Sequence, residues 1–164
     1  MPRMSKIRFT LTWAAALLLT LSCASEVREA NINQSKYIDD YIQANFPDNE
    51  VINYNGPVRV VLVDTLGAVP AIEVGDSAFV YYEGYIFEQK GPSSCFVSDK
   101  AYVCIGKGDL IQGLDKAMVG AKLGQENLIL FPSQYGYGTH GVGLVPENTA
   151  LMFAIVATQI KKNK

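Results

Sequence analysis

The run Gly106–Gly138, GKGDLIQGLDKAMVGAKLGQENLILFPSQYGYG, packs a turn, a helix, a second turn, a strand and the start of a long loop into one short stretch. Gly106-Lys107-Gly108 reads as the first turn. Asp109 follows as a candidate N-cap, and Leu110, Ile111, Leu114 and Met118 then share one face of a short helix that Gly120 would end as a C′ glycine. Glu126–Phe131 reads as a strand. Pro132–Pro146 is a loop carrying four glycines.

Working outward, Thr149–Ile160 is a last strand with Leu151, Phe153, Ile155 and Ala157 on one face. Upstream, Val58–Asp64 is β-branched and reads as a strand between the Asn55-Gly56-Pro57 turn and a break at Leu66–Pro70. Glu73-Val74-Gly75-Asp76 is another turn, leading into a Val-, Tyr- and Phe-rich strand over Ala78–Phe87. Residues 88–100, with Gly91, Pro92 and small polar side chains, read as a loop before a short strand, Ala101–Ile105. Several strands around one short helix make this an α+β domain.

Further upstream, Tyr37, Ile38, Tyr41, Ile42 and Phe46 recur at helical spacing, which predicts an amphipathic helix over Ser35–Phe46 with Ser35 as N-cap and Pro47 as its stop. Such a helix would dock on the domain or pair with a copy of itself, making a homodimer. Residues 24–33 read as a polar tether. The first 22 residues carry Arg3, Lys6 and Arg8 with no acid. The run FTLTWAAALLLTL, Phe9–Leu21, follows, too short to cross a bilayer. This is the anatomy of a secretory leader. Three segments result: 1–22 leader, 23–57 tether and helix, 58–162 folded domain.

Leu19-Thr20-Leu21-Ser22-Cys23 resembles the lipobox of bacterial lipoproteins, with Thr20 where an aliphatic residue is usual. The resemblance implies lipidation at Cys23 and a protein anchored in the bacterial cell envelope, facing the periplasm or the surface. An ordinary leader cleavage after Ala24 is the alternative. In an oxidising compartment Cys95 and Cys104 would either pair or serve as small apolar side chains.

Hydrophobic residues make up 49% of the chain, enough for one packed core. Without the leader, 11 basic residues face 16 acidic ones, so no nucleic-acid partner is expected. The single histidine, His140, cannot build a zinc site alone. No serine lies in a G-x-S-x-G elbow, and neither a dinucleotide fingerprint nor a P-loop is present. Any catalysis here needs neither metal nor cofactor nor nucleophile.

Residues 106–138 resemble the central signature of the FKBP-type peptidyl-prolyl isomerases: a glycine turn, a Leu-Ile-x-Gly-Leu helix, a glycine-punctuated turn, a strand and a Pro-x-x-Tyr-x-Tyr-Gly loop. Val80-Tyr81-Tyr82-Glu83-Gly84 resembles that family's V-x-Y-x-G strand. Leu144–Phe153 resembles its segment around a proline and a buried phenylalanine. The likeness runs from about Val58 to Lys162. It implies a twisted antiparallel sheet wrapped around one short helix, here preceded by the amphipathic helix. It also implies an apolar slot that binds Xaa-Pro in proline-containing polypeptides and helps exported proteins fold by isomerising them. A non-catalytic peptide-binding or chaperone module on the same fold is the alternative.

Carried over by motif, Tyr82, Ile111, Tyr137 and Phe153 are the catalytic positions, and Phe96, Leu110, Leu114, Val145 and His140 the substrate-binding ones. Leu114 stands at the floor of the slot, Ile111 offers its backbone N–H and Tyr137 its hydroxyl. Taken singly, Leu110, Leu114 and Phe153 also read as plain core, and His140 as a loop tip. One departure stands out. The family's Phe-Asp pair becomes Phe96-Val97, with Asp99 the nearest acid. Tyr102 is the nearest replacement for an aromatic residue missing at Ala101.

Overall fold

The computed structural model describes the chain from Ser5 to Asn163, with side chains described from Ala24 onward. The leader expected at 1–22 and the side chain of Cys23 therefore lie outside the described residues, save for helical backbone from Ser5. In chain order the elements are helix α1 (Ser5–Asn45), strands β1 (Val51–Asn53), β2 (Val58–Val63), β3 (Ser77–Glu88) and β4 (Gly91–Cys104), helix α2 (Gln112–Ala117), strand β5 (Glu126–Phe131), a 3-10 turn at Ser133–Tyr135 and strand β6 (Ala150–Lys161). The six strands form one sheet in the order β1-β2-β5-β6-β3-β4, with every neighbouring pair antiparallel.

Strand periodicity distributes the core between the two faces of this sheet. On one face Val80, Ile129, Phe131, Leu151, Phe153 and Ile155 pack against Leu114, Ala117 and Met118 of the α2 segment. On the other, Val58, Val60, Phe87, Leu128, Leu130 and Met152 pack against Ile38 and Ile42 of α1. Strands β5 and β6 are thus covered on both sides. The alternation expected for Leu151, Phe153, Ile155 and Ala157 holds, since all four share the α2 cluster while Ala150 and Met152 face α1.

Helix α1 is longer than the sequence suggests. Residues 24–33, expected as a tether, are helical, and Ser35 is not a cap: its hydroxyl donates to the Asn31 carbonyl one turn back, at 3.1 Å. Helix propensity and docking overrode the polar composition of this stretch. The stripe that left docking and self-pairing equally open lies on the chain's own sheet. Tyr41 meets Phe87 edge-on at 5.0 Å, Tyr37 lies 5.8 Å from the same ring, and Ile38 is 1% exposed.

Of the loop expected over 88–100, only Gln89 and Lys90 form a turn. Residues 91–100 form most of β4, which pairs with β3 along its length from Ser77↔Cys104 to Glu88↔Gly91, with bulges between Gly84 and Phe87. β4 is an edge strand, and its exposed polar side chains erase the apolar alternation that marks inner strands. Tyr102 points outward beside Phe79, 6.3 Å between ring centroids, so it does not stand in at the Ala101 position. Cys95 and Cys104 sit nine residues apart on this one strand, roughly 30 Å by strand rise, too far for a mutual disulfide.

Helix α2 starts at Gln112, later than expected, because the Asp109 carboxylate is committed elsewhere: it accepts the Cys104 N–H at 2.8 Å and closes the end of β4. Asp115 holds the glycine turn, accepting from Gly106 N–H at 2.7 Å and Gly108 N–H at 3.1 Å. The far end of α2 is fixed by Arg59 of β2, whose Nη1 donates to the carbonyls of Ala117 and Val119 at 2.9 and 3.1 Å. The Tyr54 hydroxyl adds a bond to Val119 O at 2.8 Å. A buried cation at the helix C-terminus suits the negative end of its dipole.

Truncating Ile38 to alanine should cost about 2–5 kcal/mol of stability if α1 is docked as described. Denaturant unfolding of the variant checks this, and a change below about 0.5 kcal/mol, the range of a surface substitution, would detach α1 from the sheet.

Candidate functional site

Between α2, the β3–β4 ribbon and the loop before β6 lies an apolar cleft of about 440 Å³. Its floor is built by a close approach. Gly84 of β3 pairs with Val97 on one side and Phe153 on the other. A Cβ at position 84 would stand 2.6 Å from the Phe153 ring, 2.7 Å from Val97 and 2.8 Å from Phe96. Only glycine lets these three side chains converge. Phe153 then meets Phe96 edge-on at 5.7 Å, stacks on Phe131 at 5.9 Å, and lies 6.4 Å from Tyr82. Gly113 of α2 plays the matching part, since a Cβ there would lie 2.5 Å from Phe131. The helix is thereby seated directly on the aromatic stack, with Leu114 2% exposed beneath the cleft.

The structure brings together seven of the nine residues expected here: Tyr82, Phe96, Leu110, Ile111, Leu114, Tyr137 and Phe153 all line the cleft. It sets the other two apart. Val142 and Val145 exchange both backbone hydrogen bonds at 2.9 Å, making a tight turn with Gly143 and Leu144 at its tip. That turn sends Val145 into the core and leaves Val142, Gly143 and Leu144 on the cleft wall. His140 is exposed, does not line the cleft, and its Nδ1 contacts Thr139 Oγ1 at 3.3 Å. Leu144 is 76% exposed and Val142 57%, so the rim offers apolar surface to solvent. Exposed apolar side chains beside glycines gave no periodic signal by which sequence reasoning could have found them.

Polar groups enter the cleft at few points. Ile111 is extended (φ −58°, ψ 147°) just before α2, and its N–H has no partner among the described residues. The hydroxyls of Tyr82 and Tyr137 likewise have none among the described residues. Burial, then the Asp99 carboxylate and then Tyr137 push the Tyr82 phenol above its ordinary range, so it is a protonated donor at neutral pH. Asp99 does not replace the family's missing acid. It stands opposite Tyr82 in the β3–β4 register, but its Oδ1 accepts the Lys100 N–H at 2.8 Å rather than a phenol. The cleft therefore combines aromatic walls with a few hydrogen-bond donors facing one apolar volume, a form suited to a small apolar ring flanked by carbonyls.

A second hollow of about 300 Å³ lies against the sheet, bordered by Leu62, Tyr81, Ala154 and Val156. It presents the carboxylates of Glu83 and Glu126, and Glu83 is already engaged by Tyr85 and Ser98 hydroxyls at 2.6 and 3.4 Å. Its three carboxylates, Glu83, Asp99 and Glu126, suit an apolar ring less well than the Phe96 and Phe153 wall of the cleft. The aromatic cleft is the better candidate.

Known proteins resemble this chain in sequence and in fold. Residues 70–157 match the model of the family described as FKBP-type peptidyl-prolyl cis-trans isomerase. FK506-binding protein 1 of Aspergillus oryzae is 27% identical over 107 residues, covering 58% of this chain and 92% of that protein. Peptidyl-prolyl cis-trans isomerase FKBP9 of Mus musculus is 32% identical over 91 residues, covering 54% of this chain but only 16% of the mouse protein. The crystal structure of a peptidyl-prolyl cis-trans isomerase from Pseudomonas syringae pv. tomato shares the fold, with a TM-score of 0.64 at 20% identity, over 82% of this chain and 96% of that one. The chain belongs to the FKBP-type peptidyl-prolyl cis-trans isomerases.

Proposed function

We propose that this cleft binds Xaa-Pro segments of exported polypeptides and accelerates their cis-trans exchange. The observation that carries the reading is the aromatic slot closed over Gly84, with the Ile111 N–H and two phenols left available inside it. A prolyl bond resists rotation by about 18–20 kcal/mol because the amide is conjugated. No bond has to break. The planar amide is the more polar form, stabilised by water at its carbonyl, whereas the twisted amide has lost conjugation. A slot that takes the pyrrolidine ring against Phe153 and excludes water favours the twisted form. Donation from Ile111 N–H and the Tyr137 hydroxyl to the flanking carbonyls holds the acyl side as it turns. Each tenfold of rate requires only about 1.4 kcal/mol of differential binding.

A second reading, binding without turnover, is favoured by one observation: Val97 occupies the place of the family's acid, and Asp99 bonds to backbone instead of to Tyr82. The leader supports an envelope location, with export and a lipid anchor at Cys23. If the anchor forms there, α1 leads directly from it to the domain. Self-association through α1 would have to use surface other than the stripe buried on the sheet.

Magnetisation-exchange NMR on a Xaa-Pro peptide with micromolar protein should show accelerated exchange, and shift changes without acceleration would select the binding reading. Gly84→Ala should cost about 1–3 kcal/mol of stability by over-packing and should close the slot, lowering exchange by at least about tenfold in the folded variant. In the same assay Val97→Asp, which restores an acid beside Tyr82, should raise the rate, and an unchanged rate would mean that the acid does not limit turnover. Expressed in a bacterium fed labelled fatty acid, the chain should take up label and Cys23→Ser should not. Label retained by the serine variant would move the anchor elsewhere.

A further inference from the structure

The loop from Pro132 to Asn148 carries Tyr137 and the cleft-wall turn, and helix α1 grips it from behind at both ends. Asn31 Oδ1 accepts the Ser133 hydroxyl at 3.0 Å and the Gln134 N–H at 3.1 Å. Gln34 Oε1 accepts the Ser133 N–H at 2.7 Å, and Gln34 Nε2 donates to the Asn148 carbonyl at 2.6 Å. The grip is buried: Asn31, Gln34 and Ser133 are 7%, 6% and 1% exposed. Asn31 is itself oriented by its Nδ2, which donates to Val27 O one turn back at 2.8 Å. One Gln34 side chain therefore ties together two backbone points fifteen residues apart that bracket the loop.

From these ends the constraint reaches the cleft through the loop's own hydrogen bonds. Asn148, in the left-handed region at φ +52°, donates its N–H to Gly138 O at 2.7 Å, and Gly138 N–H donates to Ser133 O at 2.9 Å. Both residues gripped by Gln34 thus bond directly to Gly138, the neighbour of Tyr137. Asparagine enters the left-handed region more readily than other non-glycine residues, and its bonds decide where it is held. Here the hold on Asn148 is the pair of bonds from Gln34 Nε2 and to Gly138 O. None of the described α1 residues lines the cleft, yet Asn31 and Gln34 hold both ends of the loop that carries Tyr137.

We infer that Gln34 and Asn31 of α1 are positioning residues for the isomerase reaction, setting the Tyr137 loop from the far side of the sheet. The inference rests on the prolyl isomerase reading of the cleft. It makes α1 part of the active-site architecture and not only a stalk.

The test compares the full chain with Gln34→Ala, Gln34→Glu, Tyr137→Phe and the Gln34→Ala/Tyr137→Phe double variant, by peptide exchange NMR and amide hydrogen exchange. Gln34→Ala should lower kcat/KM roughly five- to tenfold, the effect of misplacing the one hydrogen bond that Tyr137 gives the substrate. It should also speed exchange of the Gly138 and Asn148 amides. Gln34→Glu keeps the acceptor for Ser133 but sets a carboxylate oxygen against the buried Asn148 carbonyl, so it should show a loss of the same kind with deprotection centred on the Asn148 end. Because Gln34 acts through Tyr137, adding Gln34→Ala to Tyr137→Phe should cost less than twofold more. Unchanged kcat/KM and amide protection in folded Gln34→Glu and Gln34→Ala would overturn the inference, as would full additivity with Tyr137→Phe. If the wild-type chain accelerates nothing while both amides are deprotected in Gln34→Ala, the catalytic reading falls and the positioning of the loop stands.

Discussion

The ring of Phe153 lies over a glycine, and the site depends on that contact. β6 runs between β3 and β5, so Phe153 is flanked by Gly84 and Ile129 in register. With no side chain at 84, the ring settles against the sheet, Phe96 and Val97 close from the edge strand, and Phe131 stacks from beneath. Gly113 then lets α2 sit on Phe131 and brings Ile111 and Leu114 to the cleft. Two absent methyl groups, one on a strand and one on a helix, set the dimensions of the slot. Packing at this density leaves little tolerance, because a core built to crystal-like density answers to a single methylene.

A sheet buried on both faces gives the domain two cores with different tasks. The α2 face builds the cleft, whereas the α1 face is mainly aliphatic and aromatic packing around Phe87. Strands β5 and β6 contribute to both, as does β3 through Val80 and Phe87. The link between the faces is polar: at the end of the sheet, where β5 gives way to the 3-10 turn, Asn31 and Gln34 reach the loop that returns to β6. Apolar contact holds α1 in place, and directional hydrogen bonds specify where the loop lies.

How much of this was legible in the sequence depended on whether a residue's neighbours carried a period. The inner strands β2, β3, β5 and β6 were visible because runs of β-branched, aromatic and other apolar residues stand between turn signals there, and the cleft aromatics were visible through the family motif. Most of β4 was hidden, since the side chains of this edge strand are largely exposed and its serines and lysine read as loop. Arg59 in VRVVLV gives no hint that its guanidinium crosses to cap α2. Asn31 looked like a solvated residue of a tether and Gln34 fell between the tether and the expected helix, because a buried amide is recognisable only once its partners are known. Val145 went astray for a local reason: a two-residue turn reverses which side chains face inward.

The most direct measurement of the central claim is a map of where a proline peptide touches the labelled chain. Titrating a Xaa-Pro peptide into ¹⁵N-labelled protein should shift the amides of Gly84, Ile111, Leu114, Tyr137 and Gly143 and leave those of Leu62 and Val156 in place. Shifts centred on Leu62, Tyr81 and Val156, with Ile111 and Tyr137 unmoved, would contradict the account and transfer recognition to the hollow against the sheet.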